Sequence, residues 1–280
     1  MRIALVQIAS PSDETPADRR TRVRLILADL PRDVDLVVLP ELWAVGFNHF
    51  DDYIAEAETL DGPTVRVAVQ AARELDAWVL GGSIVEQIHG EQIHGEQIHG
   101  GALRNTTVLV DPTGHIANTT SKIHVFGHAS REVELLSPGD SISTTATPFG
   151  RVGSTTCYDL RFPGLWNELV DAGAELVLVP AAWPAARIAH WRLLAAARAV
   201  DTQTFVVACN SCGRHGGVEQ GGHSRVVDPW GELVAEAGAD EEVLLVDIDP
   251  TQVDRTRAEF PVLADRLDDY HTLRTSEVIA

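Results

Sequence analysis

Lysine is almost absent from this chain: of 22 lysine and arginine residues only Lys122 is lysine. Whether base composition or a saline milieu removed the others, a position that keeps an ammonium points to a need for a compact charge with rotatable donors, where a planar guanidinium does not fit. Cysteine is scarce too. Cys157, Cys209 and Cys212 form an odd set of three, which excludes a disulfide scaffold. No apolar run approaches the ~18 residues that span a bilayer. The stretch from Met1 to Ile8 enters on a strand-like run with no small-residue cleavage site after it, so no secretory signal is expected and a cytoplasmic location is. Positive charge is in deficit: the net charge of −19 opposes nucleic acid and anionic membranes, and an acidic substrate needs a local arginine to hold it. No linker rich in Pro, Gly or Ser divides the 280 residues, and 45% hydrophobic content suffices for one large core, so a single domain over 1–280 is expected.

Short β-rich runs alternate with amphipathic stretches. The pattern predicts strands at 2–8, 35–40, 77–85, 105–111, 151–157, 175–180, 204–209, 223–228 and 242–248, and helices near 15–30, 63–76, 163–172 and 187–201. Asp111-Pro112-Thr113-Gly114 and Asp228-Pro229-Trp230-Gly231 read as hairpin loops. Crossovers mixed with hairpins imply a layered α/β protein. Glu86-Gln87-Ile88-His89-Gly90 is repeated at 91–95 and 96–100. Its period of five fits neither helix nor strand. It reads as a tandem duplication inserted at a hairpin tip over 86–100; metal binding by His89, His94 and His99 is the weaker reading, since metal sites need paired spacing and outer partners. Residues 250–280 form a C-terminal tail.

Two residues at strand ends bear chemistry. Glu41 follows the buried run ending at Pro40, at the carboxyl edge where α/β proteins build sites; taken alone, a solvated strand-end glutamate is the better reading. Cys157 closes the run from Arg151 and precedes Pro163-Gly164, which opens a helix with Pro in a favoured first-turn place. Strand, tight turn and helix with a thiol on the turn is how a nucleophile elbow presents its attacking atom; a buried structural cysteine is the alternative. A thiol that hydrolyses an amide needs a base, a charge to steady an oxyanion and a proton for the leaving nitrogen. A carboxylate alone would raise the thiol pKa, and a lysine offsets that, so Glu41, Lys122 and Cys157 make a coherent set.

Pro40-Glu41, Lys122 within Ser121-Lys122-Ile123-His124, and Cys157-Tyr158-Asp159-Leu160-Arg161-Phe162-Pro163 resemble, in order and spacing, the Glu–Lys–Cys signature of the nitrilase superfamily of carbon–nitrogen hydrolases. Asn105-Thr106, Ser137-Pro138-Gly139-Asp140, Ala197 to Asp201 and Phe260 to Arg266 extend the likeness nearly end to end. The resemblance implies a four-layer α-β-β-α sandwich, pairing through helices into homodimers or higher oligomers, no cofactor and no metal. It implies Glu41 as general base and later acid, Cys157 as nucleophile, and Lys122 with the Tyr158 backbone N–H as oxyanion stabilisers. A second glutamate supports the lysine in this family; counting back from Asp140 favours Glu132 over Glu134.

Tyr158-Asp159 after the cysteine, in place of Trp-Glu, resembles the amidase branches. The stretch Pro180-Ala181-Ala182-Trp183-Pro184 with Arg187 and His190-Trp191 resembles bacterial ω-amidases, whose substrates are 2-oxo dicarboxylic acid monoamides such as 2-oxoglutaramate. On that likeness Trp183 lines the pocket, or serves as a core aromatic. Arg161 clamps a substrate carboxylate or forms a structural salt bridge, and Arg187 is the weaker candidate for the clamp. N-carbamoyl hydrolases and deaminated-glutathione amidase are alternatives within the class. A C-x-x-C redox protein using Cys209 and Cys212, a histidine-dependent metallohydrolase and a catalytically silent binding protein are alternatives outside it.

Overall fold

The computed structural model describes residues 1–88, 92–93, 96–97 and 102–267. Its first half lays down β1 (Arg2–Gln7), α1 (Pro16–Ala28), β2 (Leu36–Val38), α2 (Pro63–Leu75) and β3 (Trp78–Ile88). The three strands run parallel, so each crossover carries a helix. Past the two-residue ladder of β4 (Gln92–Ile93) and β5 (Glu96–Gln97), β6 (Ala102–Val110) returns antiparallel to β3, and β7 (Ile116–Ser121) antiparallel to β6. A single turn of helix, α3 (Glu132–Leu135), precedes the second half.

That half repeats the plan: β8 (Thr144–Thr147), β9 (Gly150–Ser154), α4 (Pro163–Asp171), β10 (Leu176–Ala181), α5 (Ile188–Thr202) and β11 (Phe205–Asn210), with β9, β10 and β11 parallel. After the small ladder β12 (Arg214–His215) and β13 (Val218–Glu219), the hairpin β14 (Arg225–Val227) and β15 (Leu233–Glu236) closes this sheet. β16 (Glu242–Asp247) crosses back to pair antiparallel with β1, and α6 (Gln252–Glu259) follows. The sheet orders are β16-β1-β2-β3-β6-β7 and β15-β14-β11-β10-β9-β8.

Period-two alternation explains the layering. Ile3, Leu5, Leu36 and Val38 point into one cluster with Val152, Leu176, Leu178, Phe205 and Val207, so the two sheets face each other. Their neighbours Ala4, Val6, Val37 and Val79 point the other way, onto Val23, Leu27, Ala68, Ala72 and Leu75 of α1 and α2. Val177, Val179 and Val206 likewise meet Trp166, Leu169, Trp191 and Ala195 of α4 and α5. Strands buried on both faces must be apolar throughout, which is why they stand out in the sequence. The result is the expected α-β-β-α sandwich.

The differences from the sequence reading fall at the edges. β7 and β15, the return strands of the two predicted hairpins, carried no predicted bounds, and β8 was not expected: each is Thr-rich or half-exposed and lies at a sheet edge, where apolar patterning is weak. Both predicted hairpin loops do connect antiparallel strands. The strand expected over 151–157 ends at Ser154, and Cys157 opens a short 3₁₀ turn with φ of +48°. The region expected to be a tail begins with α6 and a 3₁₀ turn at Val262–Asp265; α6 buries Val253 and Thr256 and is tied down by Arg257 Nη2 donating to Ala174 O at 2.9 Å. Three residues of the expected insertion, Glu86 to Ile88, pair with Ala102 to Arg104. His89, His94 and His99 lie outside the described residues.

Candidate active site

Glu41 leaves the carboxyl end of β2 in one sheet, while Cys157 follows β9 and Ala182 follows β10 in the other, so strand ends of both sheets deliver groups to one crevice. The chain turns sharply after Glu41, with Leu42 at φ +44° and its N–H donating to Ser83 Oγ at 3.0 Å. This turn requires Gly82. With φ +72°, Gly82 passes so close that a Cβ there would lie 2.1 Å from the Pro40 carbonyl oxygen. Gly82→Ala is expected to destabilise the protein by about 2 kcal/mol or more. By displacing Glu41 it should lower kcat by roughly 10²-fold; thermal unfolding and steady-state kinetics check both.

The lone lysine is fully buried and encircled by carboxylates. Lys122 Nζ donates to Glu41 Oε1 at 2.9 Å and to both oxygens of Glu132 at 2.9 Å, and lies 5.1 Å from the centre of the Phe47 ring. Glu132 also accepts the Phe126 N–H at 2.8 Å. Glu134, two residues on, is exposed and faces Arg131 at 3.5 Å; only Glu132 reaches the lysine. Asn105 Nδ2 bridges the two acids, donating to Glu41 Oε1 at 2.8 Å and Glu132 Oε1 at 3.2 Å. The other oxygen of Glu41 accepts the Ala182 N–H at 3.0 Å.

Electrostatics follow from this packing. Burial alone would push the Lys122 ammonium down, but Glu132, Glu41 and Cys157 reverse that and hold it well above its ordinary value. Burial pushes the Glu132 carboxyl up; the ammonium pulls against the rise, and the Glu41 charge adds to it. Burial and then the Glu41 charge drive the Cys157 thiol well above the usual range, against partial opposition from Lys122. Hydrogen bonding to the Glu41 carboxylate adds to this rise, and the Ala182 N–H works against it. Cys157 is therefore a neutral thiol at neutral pH with a base in contact.

Of this cluster Cys157 lines a cavity of about 240 Å³, walled also by Phe47, Phe126, Tyr158, Trp183, Arg161 and Arg187. Tyr158 packs edge-on against Phe126 and Phe162. Trp183 is both wall and core: its Nε1 donates to Arg187 O at 2.9 Å and its ring lies 5.6 Å from that of Trp191. The Arg161 guanidinium lies 4.6 Å from the Trp183 ring centre and Nη2 donates to His190 Nδ1 at 3.3 Å. No ion pair joins Arg161 or Arg187 to a carboxylate among the described residues; Arg187 lies over Phe126.

The structure thus brings together Glu41, Lys122, Glu132, Cys157, Tyr158, Trp183 and Arg161. Sequence reasoning gave no role to Asn105, Phe47 or the Ala182 N–H. The signal for Asn105 was a polar residue inside a strand that is otherwise sealed; a backbone N–H leaves no signal at all. Cys209 and Cys212 are both buried, and burial pushes the Cys212 thiol up to about 12 and Cys209 further. Redox cysteines need depressed values, so this pair does not support a disulfide exchanger. Among the described residues no group of three or more His, Cys, Asp or Glu is placed to hold a metal, and no helix is long and apolar enough to cross a membrane.

A buried carboxylate–ammonium–thiol cluster at the carboxyl edges of a two-sheet sandwich defines a class of hydrolase, and comparison with known proteins agrees. The family model described as carbon-nitrogen hydrolase matches residues 2–258. The 2-oxoglutaramate amidase of Paenarthrobacter nicotinovorans is 36% identical over 282 residues, covering 99% of this chain and 93% of that protein. The omega-amidase NIT2 of Mus musculus is 32% identical over 287 residues, covering 99% and 98%. Among solved structures, XC1258 from Xanthomonas campestris, a CN-hydrolase superfamily protein with an arsenic adduct in its active site, superposes with a TM-score of 0.84 at 30% identity over 96% of this chain and 98% of that one. The chain belongs to the carbon–nitrogen hydrolase family of the nitrilase superfamily, enzymes acting on carbon–nitrogen bonds other than peptide bonds.

Proposed function

We propose that the protein is an ω-amidase that hydrolyses the terminal amide of a 2-oxo dicarboxylic acid monoamide such as 2-oxoglutaramate. The observation that carries the substrate class is charge placement. Cys157 lines the cavity with Glu41 and Lys122 buried behind it, while the same cavity wall holds two arginines with no carboxylate partner among the described residues. A ligand with an amide at one end and a carboxylate at the other satisfies both, the carboxylate taking Arg161 and Arg187 in charge-assisted hydrogen bonds. The similarity to proteins named for this activity supports the same choice.

In this mechanism Cys157 Sγ attacks the amide carbon as its proton passes to Glu41. The oxyanion takes hydrogen bonds from Lys122 Nζ and the Tyr158 N–H. Glu41 returns the proton to the departing nitrogen, ammonia leaves, and an acyl-thioester remains. Water then attacks the thioester with Glu41 as base, and collapse of the second oxyanion returns the proton to sulfur and frees the acid. Glu132 and Asn105 hold Lys122 and Glu41 in register throughout. Three free thiols, one of them the nucleophile, favour a reducing compartment such as the cytoplasm.

A panel of small amides, N-carbamoyl compounds and nitriles assayed for ammonia release tests the reading, with Cys157→Ala as blank. The monoamide of a 2-oxo dicarboxylic acid is expected to lead. Its kcat/KM should exceed that of the same amide lacking the distal carboxylate by roughly 10²-fold, the worth of one charged hydrogen-bonded pair. Preferred turnover of a nitrile or an N-carbamoyl compound would reject it.

A further inference from the structure

β10 stops pairing at Ala181, yet the next two residues cannot be loose. The Ala182 N–H donates to Glu41 Oε2 at 3.0 Å, and Trp183 walls the cavity. The register places Ala181 beside Asn210, the last residue of β11. From there the Asn210 side chain takes over. Its Oδ1 accepts the Trp183 N–H at 2.6 Å, and its Nδ2 donates to Trp183 O at 3.1 Å and to Gly222 O at 2.8 Å. A carboxamide carries the same donor and acceptor as a peptide group, so this side chain extends the parallel ladder past the point where the backbones diverge. Two carbonyls on one side and an N–H on the other permit only one amide orientation. The clip is itself held, since Asn210 is 0% exposed and its backbone N–H donates to Ser224 Oγ at 2.9 Å.

We infer that Asn210 is a positioning residue for Glu41, acting through the Ala182–Trp183 backbone. This rests on the reading of Glu41 as general base. The Glu41 carboxylate collects three donors, from Lys122, Asn105 and Ala182. Releasing the Ala182 N–H removes one donor that a carboxylate uses and loosens the approach of Glu41 to sulfur. A merely structural asparagine would lower the amount of working enzyme without changing what pH does to it.

The test is the pH dependence of kcat/KM for wild type and Asn210→Ala, with kcat normalised to the number of sites titrated by a thiol alkylating agent above a Cys157→Ala blank. Expected for Asn210→Ala is an acid limb displaced to higher pH and a per-site kcat lower by roughly 10- to 100-fold, with KM changing far less. Asn210→Ser, the milder variant, is expected to shift the limb in the same direction. An unmoved limb with wild-type kcat per titrated site in both variants overturns the inference, as does failure of both to fold, which would make Asn210 a scaffold residue. If instead wild type shows no acid limb, or Glu41→Gln retains one, it is the base assignment that fails.

Discussion

Cys157→Ala is expected to lower kcat/KM on the order of 10⁶-fold, the scale on which removal of a nucleophile from a covalent hydrolase is felt. No neighbour can replace it: among the described residues the other thiols, Cys209 in β11 and Cys212 just beyond its end, are both buried. The fold should survive, because the lost sulfur is a small group beside a cavity and its neutral state contributes no charge to the cluster. Melting temperature is expected to stay within about 3 °C of wild type, the scale of a change below 1 kcal/mol. Mass spectrometry after rapid quench should show the acyl adduct on wild type and none on the variant. Ammonia release from the variant within tenfold of wild type would remove the thioester route.

Lys122→Met is expected to damage both stability and rate. It strips the ammonium from between Glu41 and Glu132, both at 0% exposure, and an orphaned buried charge costs about 3–5 kcal/mol. Loss of an oxyanion donor lowers kcat by a further 10²–10³-fold or so. The two effects have different pH signatures. In wild type the raised Lys122 pKa keeps its stabilising contribution complete at every pH below the ordinary lysine value of about 10.4, so no alkaline loss arises near neutrality. In the variant the Glu132 carboxyl, already pushed up by burial, loses the ammonium that pulls it down and rises further. The folded state then binds more protons than the unfolded one, and stability falls as pH increases through the interval between the two values. Denaturant titrations at pH 5.5 and pH 8 should show the larger deficit at pH 8. Lys122→Arg restores charge but not shape. A guanidinium cannot present one compact donor group to three carboxylate oxygens at 2.9 Å, and activity should stay low. Recovery of wild-type kcat by arginine would show that charge alone suffices there.

The parts of the site that were legible in the sequence are those whose chemistry is rare. A single lysine, an acid after a sealed strand and a cysteine before Pro163-Gly164 each depart from background, and their order and spacing add to that. Glu132 was harder, since Glu134 has the same side chain two residues away; only the turn of α3 directs one inward to Lys122 and leaves the other facing Arg131 in solvent. Ambiguity over Trp183 and Arg161 had a similar origin, because stacking on a neighbour and lining a cavity call for the same residue types.

The linear order of residues was enough to indicate a layered α/β protein, since strands covered on both faces must be apolar along their whole length, enough through the family resemblance to imply the four-layer sandwich, and enough to nominate Glu41, Lys122 and Cys157. What only the folded chain decided is how protons and charges are apportioned among them. Desolvation, the Asn105 bridge and the Ala182 N–H depend on residues far apart in the chain arriving within about 3 Å of each other. Electrostatic energy at such range depends on distance and on excluded water, neither of which is written in the order of the residues.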